Sequence, residues 1–397
     1  MSGSLLLMLA LFGLGFAGLG GSSSDDDGAG QGAGNDTLTG SDADDSLSGL
    51  SGDDLLDGAG GNDLLEGGEG QDSLSGGLGQ DTLRGGAGDD ALASWHLDEL
   101  DDYVGPATGV GPSHLSGEEG KDSLYGMVAG DSLYGGAGED FLNILDTGVL
   151  AEGGDDDDQI TGGRDDSGYL DGLMAEATVR GGEGDDLIRI YGPDVDLFGD
   201  DGNDTIFAGD GDGSQIEGGA GNDLLSFSGD GGSVGLDGGL GDDTIISRST
   251  GDVAAVGDGN RLTGGEGNDR IEQFDRDAST LTGGAGADTL AIWDFDFSDL
   301  DAFDDEFDGS VSARAITIDD FNPDEDVLIL GTADGAPASL RIEMDTATRT
   351  ARIWLVDPEF QPDPEFPEDT APEYLALRLT NIDAFDASMI RFEAAPD

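Results

Sequence analysis

The stretch "GGLGQDTLRGGAGDDALA" at residues 76–93 states one nine-residue pattern twice. Asp81 and Asp90 stand nine residues apart, with Leu83 and Leu92 in step behind them and glycines in front. From Gln31 to Ala93 the chain divides into seven such nonapeptides without a gap. Their sixth positions are Asp36, Asp45, Asp54, Asp63, Asp72, Asp81 and Asp90, and their eighth positions are all leucine. A segment at 94–116 breaks the count, which resumes with Asp122, Asp131 and Asp140. Farther on, glycine motifs bring Asp158, Asp186, Asp204, Asp223, Asp243, Asp269 and Asp288 to the same position, mostly at steps of 18 to 20 residues. The half-repeats between them lose the turn but keep an apolar residue before the next glycine: Val179, Leu197, Ile216, Leu236, Leu262 and Leu281.

The three residues around each leucine favour a short strand, and the glycines permit the positive φ that a tight reversal needs. Strand, turn, strand, turn makes a coil of 18 residues. Stacked coils bury a continuous apolar row that one repeat cannot bury alone. The predicted fold is all-β: a parallel β-roll, a β-helix solenoid of 18-residue coils, followed by a C-terminal β-rich cap. Stacking sets Asp36 beside Asp54 and Asp45 beside Asp63. Such carboxylate columns repel unless a cation lies between them. Calcium, a hard ion that takes 6–8 oxygens and mixes carboxylates with carbonyls, suits them better than magnesium. All seventeen sixth-position aspartates are therefore candidate calcium ligands. In 31–93 both edges of the roll carry the column. Asp186, Asp204, Asp223, Asp243, Asp269 and Asp288 share one edge, and variable turns such as "AGDGDGS" (208–214) fall on the other, where any partner surface is placed.

Composition agrees. Acidic residues number 88 against 15 basic ones, for a net charge of -73. The repulsion of phosphates by this net charge argues against nucleic acid as a partner. Without cysteine there is no disulfide scaffold and no thiolate site. The apolar run Leu5–Gly21 is shorter than a membrane span and lacks a basic residue before it. It reads as an export or anchoring segment, or as an apolar cap or tail.

The pattern GGxGxDxUx, with U apolar, resembles the calcium-binding nonapeptide of the repeats-in-toxin (RTX), haemolysin-type family. The clearest copies are "GGEGQDSLS" (67–75), "GGLGQDTLR" (76–84), "GGAGNDLLS" (218–226) and "GGLGDDTII" (238–246); "GSDADDSLS" (40–48) is weaker. The resemblance implies a β-roll with multiple Ca2+ ions in its turns and export through type I secretion machinery, with the signal in the C-terminal region.

The chain divides into an apolar segment and acidic linker (1–30), a regular roll (31–93), an insert loop (94–116), a second roll (117–291), an aromatic and acidic connector (292–313) and the cap (314–397). Strands are expected in "RAITIDDF", "DVLILG", "SLRIEM", "ARIWLV" and "YLALRLTNID". The insert holds both histidines, His96 and His114, without metal-ligand spacing, and reads as a surface loop. Asp304, Asp305 and Asp308 in the connector offer a further calcium site, beside a role in sealing the roll.

The expected function is a secreted, extracellular or cell-surface calcium-binding protein that folds on calcium outside the cell. Its role is then non-catalytic, in surface, adhesion or matrix function, toward a cell-surface or polysaccharide partner. The alternative is a secreted carbohydrate-active or other enzyme carrying an RTX-type export region. No HExxH motif supports it, and no stretch outside the repeats is long enough for a separate catalytic domain. Ice binding wants a regular Thr ladder, and the outward positions here vary.

Overall fold

The computed structural model describes residues 29–30, 33–95, 111–163, 175–209, 213–229, 233–249, 259–274, 279–293, 316–332, 340–356, 373–382 and 384–394. The apolar run near the N-terminus, His96, residues 294–313 and the proline-rich stretch 357–372 lie outside them.

Strands alternate along the chain between two sheets, of 17 and 15 strands among the described residues. In the first sheet the strands run six residues, as in Leu64–Glu69 and Thr82–Ala87, spanning the end of one nonapeptide and the glycines of the next. The second sheet begins with three-residue strands, Leu55–Asp57 and Ser73–Ser75. Pairing is parallel and in step: Leu65 lies opposite Leu83, and Leu56 opposite Leu74. One eighth-position residue per strand points inward, and Leu56, Leu65, Leu83, Leu92 and Leu115 are fully buried. At roughly 1.5–3 kcal/mol for each buried leucine, this row is the main apolar contribution to stacking. Leu197, Ile216 and Leu236 continue it, so the 18-residue coil persists into the second half.

The interruption is shorter than the sequence suggests. His114–Glu119 is already a strand of the first sheet, with Leu115 opposite Leu83. The roll therefore resumes before residue 117. The nonapeptide "TGVGPSHLS" (108–116) has Ser113 where its neighbours have aspartate, which hides it from an aspartate count. His114 sits on the outer face against Tyr134, ring centroids 4.9 Å apart.

At the C-terminal end Ile316–Ile318 and Val327–Thr332 add one parallel strand to each sheet. Glu373–Leu379 follows in parallel, and then the pairing reverses. Thr350–Val356 and Leu340–Asp345 are antiparallel, which ends the parallel stack. Ile390–Ala394, a strand the sequence reading lacked, closes the second sheet. Phe321 and Phe385 meet edge to face inside this cap. No helix among the described residues is long and apolar enough to cross a membrane.

Candidate metal centre

Turns leading from the first sheet to the second make one edge of the roll, and turns leading back make the other. On the first edge the sixth-position aspartates form an unbroken ladder. The backbone N–H of Asp36 donates to Oδ1 of Asp54 at 2.6 Å, and Asp54 to Asp72 at 2.8 Å. The same bond runs from Asp72 to Asp90, Asp122, Asp140, Asp158, Asp186, Asp204, Asp223, Asp243, Asp269 and Asp288. Asp204 and Asp223 are thus neighbours on one edge. The second edge runs Asp45, Asp63, Asp81, Ser113 Oγ and Asp131.

Each rung uses one carboxylate oxygen. The other oxygen, Oδ2, is buried and has no hydrogen-bond partner in Asp54, Asp72, Asp90, Asp122, Asp140, Asp158, Asp186, Asp204, Asp223, Asp243 and Asp269 on the first edge, and in Asp63 and Asp81 on the second. Buried carboxylate oxygens in native proteins have partners, and thirteen such oxygens in register fit a line of bound cations. The first glycine of each motif makes the space. A Cβ on Gly67 would lie 2.3 Å from Asp72 Oδ2 and 2.6 Å from the carbonyl oxygen of Gly85 in the next coil. A Cβ on Gly153 would lie 2.1 Å from Asp158 Oδ2 and 2.6 Å from the Gly181 carbonyl. A carboxylate oxygen and a backbone carbonyl therefore converge on one small space per rung. The third glycine lets coils approach: at Gly70, φ is 135° and a Cβ would sit 2.0 Å from the Gly52 carbonyl.

Among the described residues no three His, Cys, Asp or Glu side chains come together, so side chains alone do not make a site. The donor set is carboxylate plus carbonyl, which suits calcium and not zinc. Burial is the main cost of these metal-free carboxylates. It pushes Asp158 up to about 8 against the hydrogen bond from Asp140, with the charges of Asp140 and Asp186 adding to the rise. Burial likewise carries Asp63, Asp90, Asp122, Asp186, Asp204 and Asp243 to about 7.

The profile of the RTX calcium-binding nonapeptide repeat matches residues 31–65, 57–92, 109–143, 196–225, 255–272 and 275–291. The chain carries RTX calcium-binding nonapeptide repeats. Its metal is therefore calcium, in several copies. A search of curated proteins found no match. Among solved structures, the chain is similar to the X-ray crystal structure of a hyperactive, Ca2+-dependent, beta-helical antifreeze protein from an Antarctic bacterium. Identity is 17%, the TM-score 0.38, and the match covers 76% of this chain and 96% of that one. The roll itself rests on the strand pairing above, not on this likeness.

Four sixth-position aspartates lack the orphan oxygen. Asp131 departs most: Ser113 N–H donates to its Oδ1, Val128 N–H to its Oδ2, and Ser94 and Met127 add further bonds. Its turn has Gly126–Met127 in place of the glycine pair, and a Cβ on Gly126 would meet the Leu133 side chain, not a carboxylate. Protein donors thus occupy both oxygens of this carboxylate. Asp45 Oδ2 accepts from Ser41, the residue replacing the second glycine of the weak copy. Asp36 is the first rung and half-buried, and Asp288 is the last of the glycine series.

Two features escaped the sequence reading. Asp288 N–H donates to Asp326 Oδ1, so the first-edge ladder runs one rung into the cap. "FNPDEDVLI" (321–329) keeps aspartate at its sixth and leucine at its eighth position, without glycines. Beyond Asp131 the second edge becomes apolar or neutral. Val149, Ala177, Val195, Ser214, Val234, Asn260 and Ser279 take the ladder positions, linked by backbone bonds such as Asp196 N–H to Ala177 O. Ile144, Ile190 and Phe227 are fully buried in the same apolar core as Val149, Ala177, Val195 and Val234. Hydrophobic packing thus replaces the carboxylate column on this edge.

Proposed function

We propose that this chain is a secreted calcium-binding repeat protein that folds when it meets calcium outside the cell, with a non-catalytic surface, adhesion or matrix role. The calcium ligands in this reading are the carboxylates of Asp54, Asp63, Asp72, Asp81, Asp90, Asp122, Asp140, Asp158, Asp186, Asp204, Asp223, Asp243 and Asp269, together with glycine carbonyls of the adjacent coil. The line of thirteen buried, partnerless Oδ2 atoms is the observation that carries it. Calcium supplies the positive charge that lets these carboxylates stack. Binding to the folded state alone then stabilises it in proportion to the ion's concentration.

Extracellular calcium modules bind at roughly 10⁻⁴–10⁻³ M. The chain is then open in the cytosol and closed outside, a state suited to export through a type I system with its signal in 314–397. Circular dichroism with millimolar calcium and with chelator tests the folding switch. The reading predicts a β signal and a cooperative melt only with calcium. A chelated chain that keeps both at neutral pH refutes it. Truncation after Ala313 tests export: the truncated chain should remain in the cells, and its appearance in the medium would refute the C-terminal signal.

A further inference from the structure

We propose that the outer face of the C-terminal sheet, centred on Arg352 and Arg378, binds a linear acidic polysaccharide. In Thr350–Val356 and Glu373–Leu379 the residues Ala351, Ile353, Leu377 and Leu379 are buried, so Arg352, Trp354 and Arg378 alternate to the opposite face. Arg352 lies directly opposite Arg378 in the antiparallel pair. Like charges so placed oppose pairing. With 88 carboxylates in the chain, a counter-ion would be easy to supply. Neither arginine has one within 4.0 Å among the described residues, whereas Arg84, Lys121 and Arg180 pair with Glu66, Glu139 and Asp200.

The nearby acids are engaged elsewhere. Glu343, opposite Arg352 on its other side, pairs with Arg341. Asp345, which feels the charge of Arg352, accepts the N–H groups of Ala347 and Thr348.

The row extends across the strands. Thr317 lies opposite Arg378, Thr280 opposite Thr317, and Arg261 opposite Thr280. At about 4.8 Å per strand, these groups form a line and not a pocket. Guanidinium forks match carboxylate or sulfate groups, and threonine hydroxyls match sugar hydroxyls. An acidic sugar chain carries both complements. An acidic peptide lacks the hydroxyls, and a free oxyanion does not span the row. The proposal is independent of which aspartates hold calcium.

Titration calorimetry of the full chain at millimolar calcium tests it, with hyaluronan oligosaccharides as the probe. Neutral maltooligosaccharides, poly-glutamate and sodium sulfate are the comparison arms. Hyaluronan should bind saturably and more weakly as salt rises, since exposed charge pairs are screened. Arg352→Gln with Arg378→Gln should weaken binding at least ~10-fold, while Arg84→Gln leaves it unchanged. The double variant should melt no lower than the parent, because it removes the opposed charges. Absence of saturable hyaluronan binding overturns the proposal, as does equal binding by the folded double variant. Equally tight binding of poly-glutamate, of sulfate or of the neutral sugar overturns the assignment to an acidic polysaccharide.

Discussion

The backbone N–H of Asp140 donates to Oδ1 of Asp158 at 2.7 Å, while Oδ2 of the same carboxylate is buried with no partner. One side chain thus joins two coils through one oxygen and offers the other to a cation. Asp158→Asn separates these roles. The amide keeps the acceptor and removes the charge whose burial pushes Asp158 up to about 8. In chelator the variant should be more stable than the parent; in calcium it should bind more weakly and lose part of its calcium-induced rise in melting temperature. Asp158→Ala also removes the acceptor of the Asp140 N–H and should cost about 1–3 kcal/mol in calcium. Thermal melts of the three chains in both buffers check this.

Acid should partly substitute for calcium. Asp63, Asp90, Asp122, Asp186, Asp204 and Asp243 rise to about 7, and Asp140 and Asp288 to about 6, chiefly through burial. Folded-state values above the unfolded ones mean that the metal-free roll binds more protons than the open chain. Its stability from these groups is fully present below the unfolded value near 4 and is lost as pH rises through 6–8. In chelator, the β signal should therefore be larger at pH 5 than at pH 8. With calcium present, protons compete for the same oxygens, and the calcium midpoint should rise on acidification. A chelated chain equally unfolded at both pH values would contradict the burial argument.

Gly153→Ala should remove an ion and loosen the stack, because its Cβ would stand 2.6 Å from the Gly181 backbone carbonyl of the next coil. Its backbone is not in the left-handed region, and the new methyl would enter the space between Asp158 Oδ2 and the Gly181 carbonyl. Bound calcium per chain should fall. Gly126→Ala, whose methyl meets only the flexible end of Leu133, should leave the count unchanged. Equilibrium dialysis with the two variants measures the difference.

The second edge should respond to packing where the first responds to charge. Phe227 is fully buried in the same apolar core as Val234, where the carboxylate column has ended. Phe227→Ala should cost about 3–5 kcal/mol in calcium with no loss of bound ions. Asp63→Asn, on the same edge nearer the N-terminus, should lower the ion count.

The coil and its two edges were legible because Asp204 and Asp223, 19 residues apart, must stack if the apolar residues between them face inward. The limits of that reading are equally physical. An aspartate at the sixth position does not reveal whether the glycine space in front of it is open, and at Asp131 Met127 and Val128 close it. A serine can hold the ladder without charge, as Ser113 does, so counting aspartates misses a coil. Asp326 lacks the glycines that flag its relatives. The antiparallel return of Leu340–Asp345 and Thr350–Val356 depends on which strand meets the last coil, and their alternation carries no information about that.

Anomalous X-ray diffraction from crystals grown in calcium locates the ions directly. A file of calcium peaks is expected along the first edge beside Asp54, Asp72, Asp90 and their successors to Asp269. Peaks are also expected beside Asp63 and Asp81 on the second edge and none beside Asp131. Peaks confined to exposed acids, or a first edge without them, would contradict the assignment of the aspartate ladder to calcium.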